Sequence, residues 1–212
     1  FATSGPGATN IMTGLVECWQ DSVPVLFVTG QSKLSQTIQG SGLFGLRQFG
    51  TFEVDILPLV RSVTKYSAFI DDPMKIRFHL DRACAAAVSG RPGPVLLDIP
   101  VDIQGALVTP DDLSTGRVLS PKIPFPARRD VRYVLDRLRK ARRPLILAGH
   151  GIRVAGCVDL FRRLLRRLNV PCVTTQLAAD LLDYSDRLFV GRPGVKGDRA
   201  GNFAVQSADC IV

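Results

Sequence analysis

The residues best suited to chemistry lie at the start of the chain, where a glycine-rich turn separates an apolar segment from a helix-like pattern. The turn is Ser4-Gly5-Pro6-Gly7, and an apolar-periodic stretch begins at Ile11. Glycine admits backbone angles that other residues avoid, and proline fits the first turn of a helix. The sequence predicts a strand, a tight turn and a helix whose free N–H groups suit an anionic or polar cofactor. An ordinary strand-to-helix turn is the alternative, and spacing alone favours it.

A second candidate turn, Gly149-His150-Gly151, follows a predicted buried strand at 144–148. Two glycines after such a strand allow the backbone to approach a dinucleotide closely. The signal is weak by itself, because the full G-x-G-x-x-G pattern with an acidic partner is absent. We interpret His150 as a turn residue rather than a catalyst. Arg91, before Pro92, either offers donors to a phosphate or is a solvated turn residue.

Composition limits the class of protein. At 212 residues, with 46% hydrophobic and 22% charged residues, the chain is typical of soluble globular proteins of one large or two small domains. The apolar runs are shorter than the ~20 residues of a membrane-spanning helix, and the pattern of a signal peptide is missing. We expect no membrane partner and a cytoplasmic location. Because the chain starts at Phe1 and ends within the apolar run Cys210-Ile-Val212, we also expect a piece of a longer polypeptide.

Cysteine and histidine usage argues against disulfides and metal centres. The five cysteines are an odd number, lie far apart and form no C-x-x-C, and the chain has two histidines. A disulfide framework, a zinc site and a histidine-rich metal centre are therefore not expected. Cys84 and Cys172, among apolar neighbours, are predicted to be small core residues.

The net charge of +8 is concentrated in one stretch. Thirteen of the 27 Lys and Arg residues lie between Arg128 and Arg167, with three acids. Such a stretch can bind nucleic acid. The arginines alternate with leucines, however, and no regular interleaving of aromatic residues accompanies them. We therefore favour solvated helix faces, then an intersubunit or cofactor-facing role, and expect no nucleic-acid partner.

Short apolar runs alternate with helical periods along the whole chain, which predicts an α/β fold with doubly wound, mostly parallel sheets. A long loop, rich in Gly, Ser and Gln, is predicted for 31–52. A proline-rich linker is predicted for 109–127. The predicted strands are 25–28, 67–70, 94–99, 144–148, 171–175 and one opening at 208–212. The predicted helix stripes are Ile76, Leu80, Ala83 and Ala87; Val131, Val134, Leu135 and Leu138; and Val158, Phe161, Leu164, Leu165 and Leu168.

Six motifs in order carry a more specific signal. They are Thr3-Ser-Gly-Pro-Gly-Ala-Thr-Asn10, Asp21-Ser-Val-Pro24, Thr29-Gly-Gln31, Arg61-Ser-Val-Thr-Lys65, Ser89-Gly-Arg-Pro-Gly-Pro94 and Asp98-Ile-Pro-Val-Asp102. Together they resemble the thiamine-diphosphate-dependent acetolactate synthase family. The resemblance implies a partial pyrimidine-binding domain at 1–108, the linker at 109–127, and part of a Rossmann-like, FAD- or nucleotide-binding central domain at 128–212.

The resemblance also implies an activity. Enzymes similar to this one decarboxylate pyruvate and add the two-carbon unit to a second 2-oxo acid, in branched-chain amino acid biosynthesis. They use thiamine diphosphate, Mg²⁺ and FAD, and they assemble as homodimers or homotetramers. The activating glutamate would lie upstream of Phe1 and the Mg²⁺ site in a further domain. No catalytic or metal-binding residue is therefore expected in this segment, which should not be active alone.

Site residues follow from the matched motifs. The resemblance places Pro6, Gly7 and Asn10 at thiamine diphosphate; the alternative for Asn10 is a polar residue that satisfies a helix N-terminus. It places Lys65 near the substrate channel, where a surface lysine is equally plausible. The implied FAD residues are Ser22, Arg91, Gly149, His150, Gly151, Thr175 and Gln176.

Three departures leave alternatives open. The loop between Gln31 and Glu53 is longer than usual, and Phe52 replaces a glutamine near the reactive ring, for which Gln48 is a possible substitute at the substrate. Arg192-Pro193 replaces a Met-His pair beside the flavin, which weakens the FAD prediction. The alternatives are another superfamily member (a 2-oxo acid decarboxylase or oxidase, or a keto-sugar carboligase) and a non-catalytic nucleotide-binding relative.

Overall fold

The computed structural model describes residues 1–43, 45–116 and 124–212. Its contacts divide the chain into two compact units, 1–123 and 124–212. The predicted linker at 109–127 lies partly outside the described residues. Its first part is packed on the first unit, since the Ser114 N–H donates to the Met74 carbonyl (3.2 Å).

The first unit is built on a parallel sheet. Its strands are β1 (Leu26–Gln31), β2 (Tyr66–Phe69) and β3 (Val95–Pro100), in the order β1-β3-β2, and Ala2 forms a parallel bridge with Thr29. The helices are α1 (Pro6–Asn10), α2 (Met12–Asp21), α3 (Ile38–Ser41), α4 (Leu57–Val60), α5 (Ile76–Val88) and α6 (Val101–Gln104). Short 3₁₀ turns lie at Leu34–Gln36, Arg61–Val63, Pro73–Lys75 and Pro110–Asp112.

Successive side chains of β3 point to opposite faces of this sheet, and each face has its own apolar cluster. Leu96 packs with residues of α1, α2 and α4, whereas Val95 and Leu97 pack with residues of α5. Helices thus cover both faces, as parallel sheets require.

The second unit is also parallel. Its strands are β4 (Pro144–Ala148), β5 (Cys172–Thr174), β6 (Phe189–Gly191) and β7 (Cys210–Ile211), in the order β6-β5-β4-β7. Its helices are α7 (Arg128–Lys140), α8 (Gly151–Val154), α9 (Val158–Leu168) and α10 (Arg199–Ser207), with a 3₁₀ turn at Gln176–Ala178. One apolar cluster joins α9 to β4 and β5. The two sheets confirm the predicted α/β fold.

Some predicted burial is wrong. Cys84 is exposed, because the buried face of α5 carries Ala83 and Ala87, one turn apart, and Cys84 lies about 100° around the helix from Ala83. Cys172 is buried, as predicted. Leu80 on α5, Val131 and Val134 on α7 and Leu164 on α9 were also predicted to lie in apolar stripes, but they are exposed.

The predicted loop at 31–52 is more ordered than expected, since it contains α3 and a 3₁₀ turn. Among the described residues, no helix combines the length and the apolar character needed to cross a membrane.

Candidate functional site

The first candidate site is the turn between Ala2 and α1. Gly5 has φ +59°, a conformation that favours glycine, and Pro6 begins α1. The prediction of free N–H groups at this helix end is largely wrong. Pro6 has no N–H, and the Gly7 N–H donates to the Ser4 carbonyl (3.2 Å). The turn therefore offers exposed side chains, those of Pro6 and Asn10, rather than a set of backbone donors.

Gly7 has a packing role in this turn, because a Cβ there would lie 2.5 Å from Thr3 Cγ2. Asn10 is the last residue of α1 and is exposed. The N-cap residues of α1 and α2 are Gly5 and Ile11, and neither helix has a side-chain cap. The alternative role of Asn10 in capping a helix is therefore not realised, and its amide remains available on the surface.

A contact that sequence reasoning missed brings Phe52 against the turn. A Cβ at Gly5 would lie 2.1 Å from the Phe52 carbonyl oxygen, so the two backbones touch. Phe52 itself has φ +58°, and its side chain is 65% exposed. Gln48, the predicted substitute, donates its amide to the Gly50 carbonyl within its own loop (2.8 Å). Long-range contacts of this kind leave no local signal in a sequence.

A buried polar cluster lies beside these elements. Asp98 on β3 is 2% exposed and accepts hydrogen bonds from Thr29 Oγ1 (2.6 Å) and Gln31 Nε2 (3.2 Å). Burial raises the pKa of Asp98 to about 6, although the bonds from Thr29 and Gln31 oppose the rise. Gln31 Nε2 also donates to the Val54 carbonyl (3.0 Å). All three side chains lie in the motifs that carry the family resemblance, but nothing in the sequence indicated that they would form one hydrogen-bonded cluster.

A second group of predicted residues meets at a cavity of about 660 Å³ in the first unit. Its lining includes Trp19, Lys65 and Arg91. Arg91 Nε donates to Ser22 Oγ (2.7 Å), which brings together two residues predicted to bind FAD. The Lys65 ammonium donates to the Ser89 carbonyl, and burial lowers the pKa of Lys65. Lys65, predicted near the substrate, thus shares one cavity with Arg91.

The remaining predicted FAD residues meet in the second unit. His150 Nδ1 lies 3.2 Å from the Leu177 carbonyl oxygen, and the Thr175 N–H donates to the Ala148 carbonyl (2.9 Å). The Gly149–Gly151 turn and the 175–177 segment are therefore neighbours. Apart from adjacent residues and the backbone of its own helix, no atom of the described residues lies within 4 Å of a Cβ built at Gly149 or Gly151, so the space beside both glycines is open.

Comparisons with known proteins place the chain in a family. The family model described as "Thiamine pyrophosphate enzyme, N-terminal TPP binding domain" matches residues 1–44, and that described as "Thiamine pyrophosphate enzyme, central domain" matches residues 131–212. Together they cover more than half of the chain. The chain belongs to the thiamine pyrophosphate enzyme family.

Several relatives of this chain are described as acetolactate synthases. The large subunit from Parasynechococcus marenigrum is 35% identical over 217 residues, covering all of this chain and 33% of the relative. The isozyme 2 large subunit from Escherichia coli is 35% identical over 212 residues and is covered to 36%. The mitochondrial acetolactate synthase of Schizosaccharomyces pombe is 31% identical over 222 residues and is covered to 32%. The predicted resemblance is confirmed, and the chain spans about a third of the length of these relatives.

Arg192, identified in the sequence as a departure from the acetolactate synthase pattern beside the flavin, lies in a closed loop after β6. Asp198 Oδ2 accepts a hydrogen bond from the Arg192 N–H (2.9 Å) and lies 3.6 Å from Arg192 Nε. Asn202 forms two hydrogen bonds with Gly194. Its Oδ1 accepts from the Gly194 N–H (2.8 Å), and its Nδ2 donates to the Gly194 carbonyl (3.0 Å). The Arg192 guanidinium is therefore already paired within this loop.

Proposed function

We propose that this chain is part of a thiamine-diphosphate-dependent carboligase similar to acetolactate synthase. Such an enzyme decarboxylates pyruvate and adds the two-carbon unit to a second 2-oxo acid. The observation that carries the proposal is the 35% identity to acetolactate synthase large subunits over the whole chain. Because the match runs through both units, the similarity is not limited to one turn motif.

The turn suits the ring end of thiamine diphosphate better than its phosphate end. An aminopyrimidine is uncharged and needs an apolar surface and hydrogen-bonding partners, which the exposed Pro6 and the exposed Asn10 amide can offer. The cofactor would supply the carbanion chemistry. This chain would orient the ring, with Gly5, Gly7 and Phe52 fixing the backbone that carries Pro6 and Asn10.

FAD binding is the finer part of the proposal. The open space at Gly149 and Gly151 would admit a ligand to the backbone, and Thr175 and Gln176 follow on the neighbouring segment. Arg91 uses Nε and one terminal nitrogen for Ser22 and the Gln20 carbonyl, which leaves donors for a phosphate. The pairing of Arg192 with Asp198 makes it a poor substitute for residues that touch a flavin.

The proposal includes four further features. They are Mg²⁺ as a cofactor, a 2-oxo acid as substrate, assembly as a homodimer or homotetramer, and a cytoplasmic location. Among the described residues, no group of three or more His, Cys, Asp or Glu side chains could hold a metal ion, so Mg²⁺ would need other ligands. The S. pombe relative is described as mitochondrial, so the location needs its own test.

Product analysis tests the proposal. The full-length protein would be incubated with pyruvate, Mg²⁺ and thiamine diphosphate, with and without FAD, and 2-acetolactate measured. We expect 2-acetolactate in the presence of FAD. Pyruvate consumption without 2-acetolactate would indicate another 2-oxo acid enzyme of the family. The apolar Phe52 beside the turn favours that second candidate, because it changes the surface available to an acceptor. Absence of both cofactor binding and consumption would favour a non-catalytic relative.

A further inference from the structure

The segment from Ser32 to Phe52 is here named the 32–52 loop. Its two ends, residues 32–38 and 49–52, are here called its arms, and they contact each other at the base of the loop. Ser32 Oγ donates to the Thr51 carbonyl (3.1 Å). A Cβ at Gly50 would lie 2.4 Å from the Gln36 carbonyl oxygen, so the two arms pack backbone to backbone. The base of the loop is therefore a tight joint that only glycine permits at position 50.

The Glu53 carboxylate ties both arms together. Its Oε1 accepts from the Ile38 N–H (2.6 Å), and its Oε2 accepts from the N–H groups of Phe49 (2.8 Å) and Gly50 (2.9 Å). Glu53 is 7% exposed. Hydrogen bonds from backbone donors to a carboxylate are stronger than neutral ones. Both carboxylate oxygens are thus used to close the loop.

The same anchor sets the contact with the turn. Phe52 directly precedes Glu53, and its carbonyl lies against Gly5. Phe52 and Gly5 both have positive φ, so this contact depends on two unusual backbone conformations. Movement of the base of the loop would move the Phe52 carbonyl and release the turn.

The hydrogen bonds of the Glu53 carboxylate go to backbone N–H groups of the loop. The cluster beside the turn is formed by apolar side chains, those of Ala8, Leu15, Ile56, Val60 and Leu96. At the tip of the loop, Leu43 and Leu46 are about half exposed. Loss of Glu53 should therefore open the loop while the core stays packed.

We propose that Glu53 is a positioning residue: by closing the base of the 32–52 loop, it holds the Phe52 carbonyl against Gly5 and keeps the turn ready for its ligand. The closing of the loop stands on the geometry alone. Its effect on thiamine diphosphate rests on the proposed function.

Three variants separate the possible roles. Glu53→Ala removes all three acceptor contacts. Glu53→Gln keeps the size and one acceptor oxygen, but it turns an NH₂ group toward backbone donors. Gly50→Ala leaves the carboxylate intact and forces the arms apart, because its Cβ would collide with the Gln36 carbonyl. Glu17→Gln, at the other glutamate of the chain, exposed on α2, is the matched control.

Loop opening is measured on the protein without cofactor. Arg47 is exposed within the loop and is a trypsin site, and hydrogen–deuterium exchange reports the amides of Ile38, Phe49 and Gly50. We expect cleavage and exchange to be about tenfold faster in Glu53→Ala than in the unmodified protein. Gly50→Ala should show the same increase, and Glu53→Gln a smaller one. Glu17→Gln should match the unmodified protein. Unchanged cleavage and exchange in Glu53→Ala would overturn the proposal.

Titration with thiamine diphosphate tests whether the closed loop also affects binding of the cofactor at the turn. We expect the Kd to rise about tenfold in Glu53→Ala and less in Glu53→Gln, with a smaller change in kcat at saturating cofactor. An opened loop with an unchanged Kd would refute the positioning role and leave Glu53 a structural residue. If the unmodified protein does not bind thiamine diphosphate, the proposed function fails. The cleavage and exchange measurements still show whether Glu53 closes the base of the 32–52 loop.

Discussion

At the residue scale, the contact between Gly5 and Phe52 is sensitive to sequence on both sides. Their backbones touch, both have positive φ, and Pro6 and Asn10 follow directly. Glycine at position 5 is needed twice, for its φ and for the space beside the Phe52 carbonyl. The motif could be recognised from the sequence, but its partner, 47 positions further along the chain, could not.

Gly5→Ala should therefore destabilise the first unit by at least about 2 kcal/mol, since the added Cβ would lie 2.1 Å from the Phe52 oxygen in a strained conformation. Denaturant unfolding measures the change. Gly14→Ala is the matched control: Gly14 lies in α2 with open space around its Cβ position, and alanine there should gain about 0.5–1 kcal/mol. Equal effects at the two glycines would contradict the contact.

Asp98 should give stability a specific pH dependence. Burial raises its pKa in the folded state to about 6, above the value of the unfolded chain, so the folded state binds the extra proton. The contribution to stability is then present at low pH and falls as the pH rises through the window between about 4 and 6.

Asp98→Asn should remove this dependence. The free energy of unfolding of the unmodified protein should lose about 2 kcal/mol more than that of the variant between pH 4.5 and pH 7. The measurement is denaturant unfolding of both proteins across this range. An identical pH profile in the two proteins would show that Asp98 keeps an ordinary pKa.

At the scale of elements, α9 shows how the sequence pattern and the structure agree. Arg163, Arg166 and Arg167 face solvent, whereas Phe161 and Leu165 are buried against β4 and β5. Leu164 lies in the same predicted stripe but is 47% exposed, because it is one position away from the buried face.

Leu165→Ala should cost the second unit about 2–5 kcal/mol, because Leu165 is 1% exposed in the core. Leu164→Ala, the adjacent control of the same chemistry, should change stability by less than about 1 kcal/mol. Thermal unfolding of both variants gives the comparison. A similar loss at both positions would mean that Leu164 is covered by something outside the described contacts.

The alternating elements could be predicted because periodicity is local. The strands at 94–99 and 144–148 correspond to β3 and β4 within a residue. The clusters at Asp98 and Glu53 could not be predicted, because each joins residues from separate segments through hydrogen bonds that have no local pattern. Ser22 and Arg91 were each predicted to touch FAD through the family resemblance, not through spacing. The bond between them was not predicted and comes from the structure.

At the scale of the whole molecule, the charge is concentrated on helix surfaces. Several arginines of the second unit pair with nearby acids: Arg129 with Asp130, Arg139 with Asp136, Arg162 with Asp159 and Arg153 with Asp180. These exposed pairs fit the interpretation of solvated helix faces, since such pairs contribute little to stability. The absence of a nucleic-acid partner stays a prediction.

The central claim is that the turn at Pro6–Asn10 holds the ring of thiamine diphosphate, and its most direct test is a binding titration of the full-length protein. Asn10→Ala is compared with Gln206→Ala, an exposed amide on α10. We predict a Kd for thiamine diphosphate about tenfold higher in Asn10→Ala and unchanged in Gln206→Ala. Equal affinity in Asn10→Ala and the unmodified protein would contradict the claim.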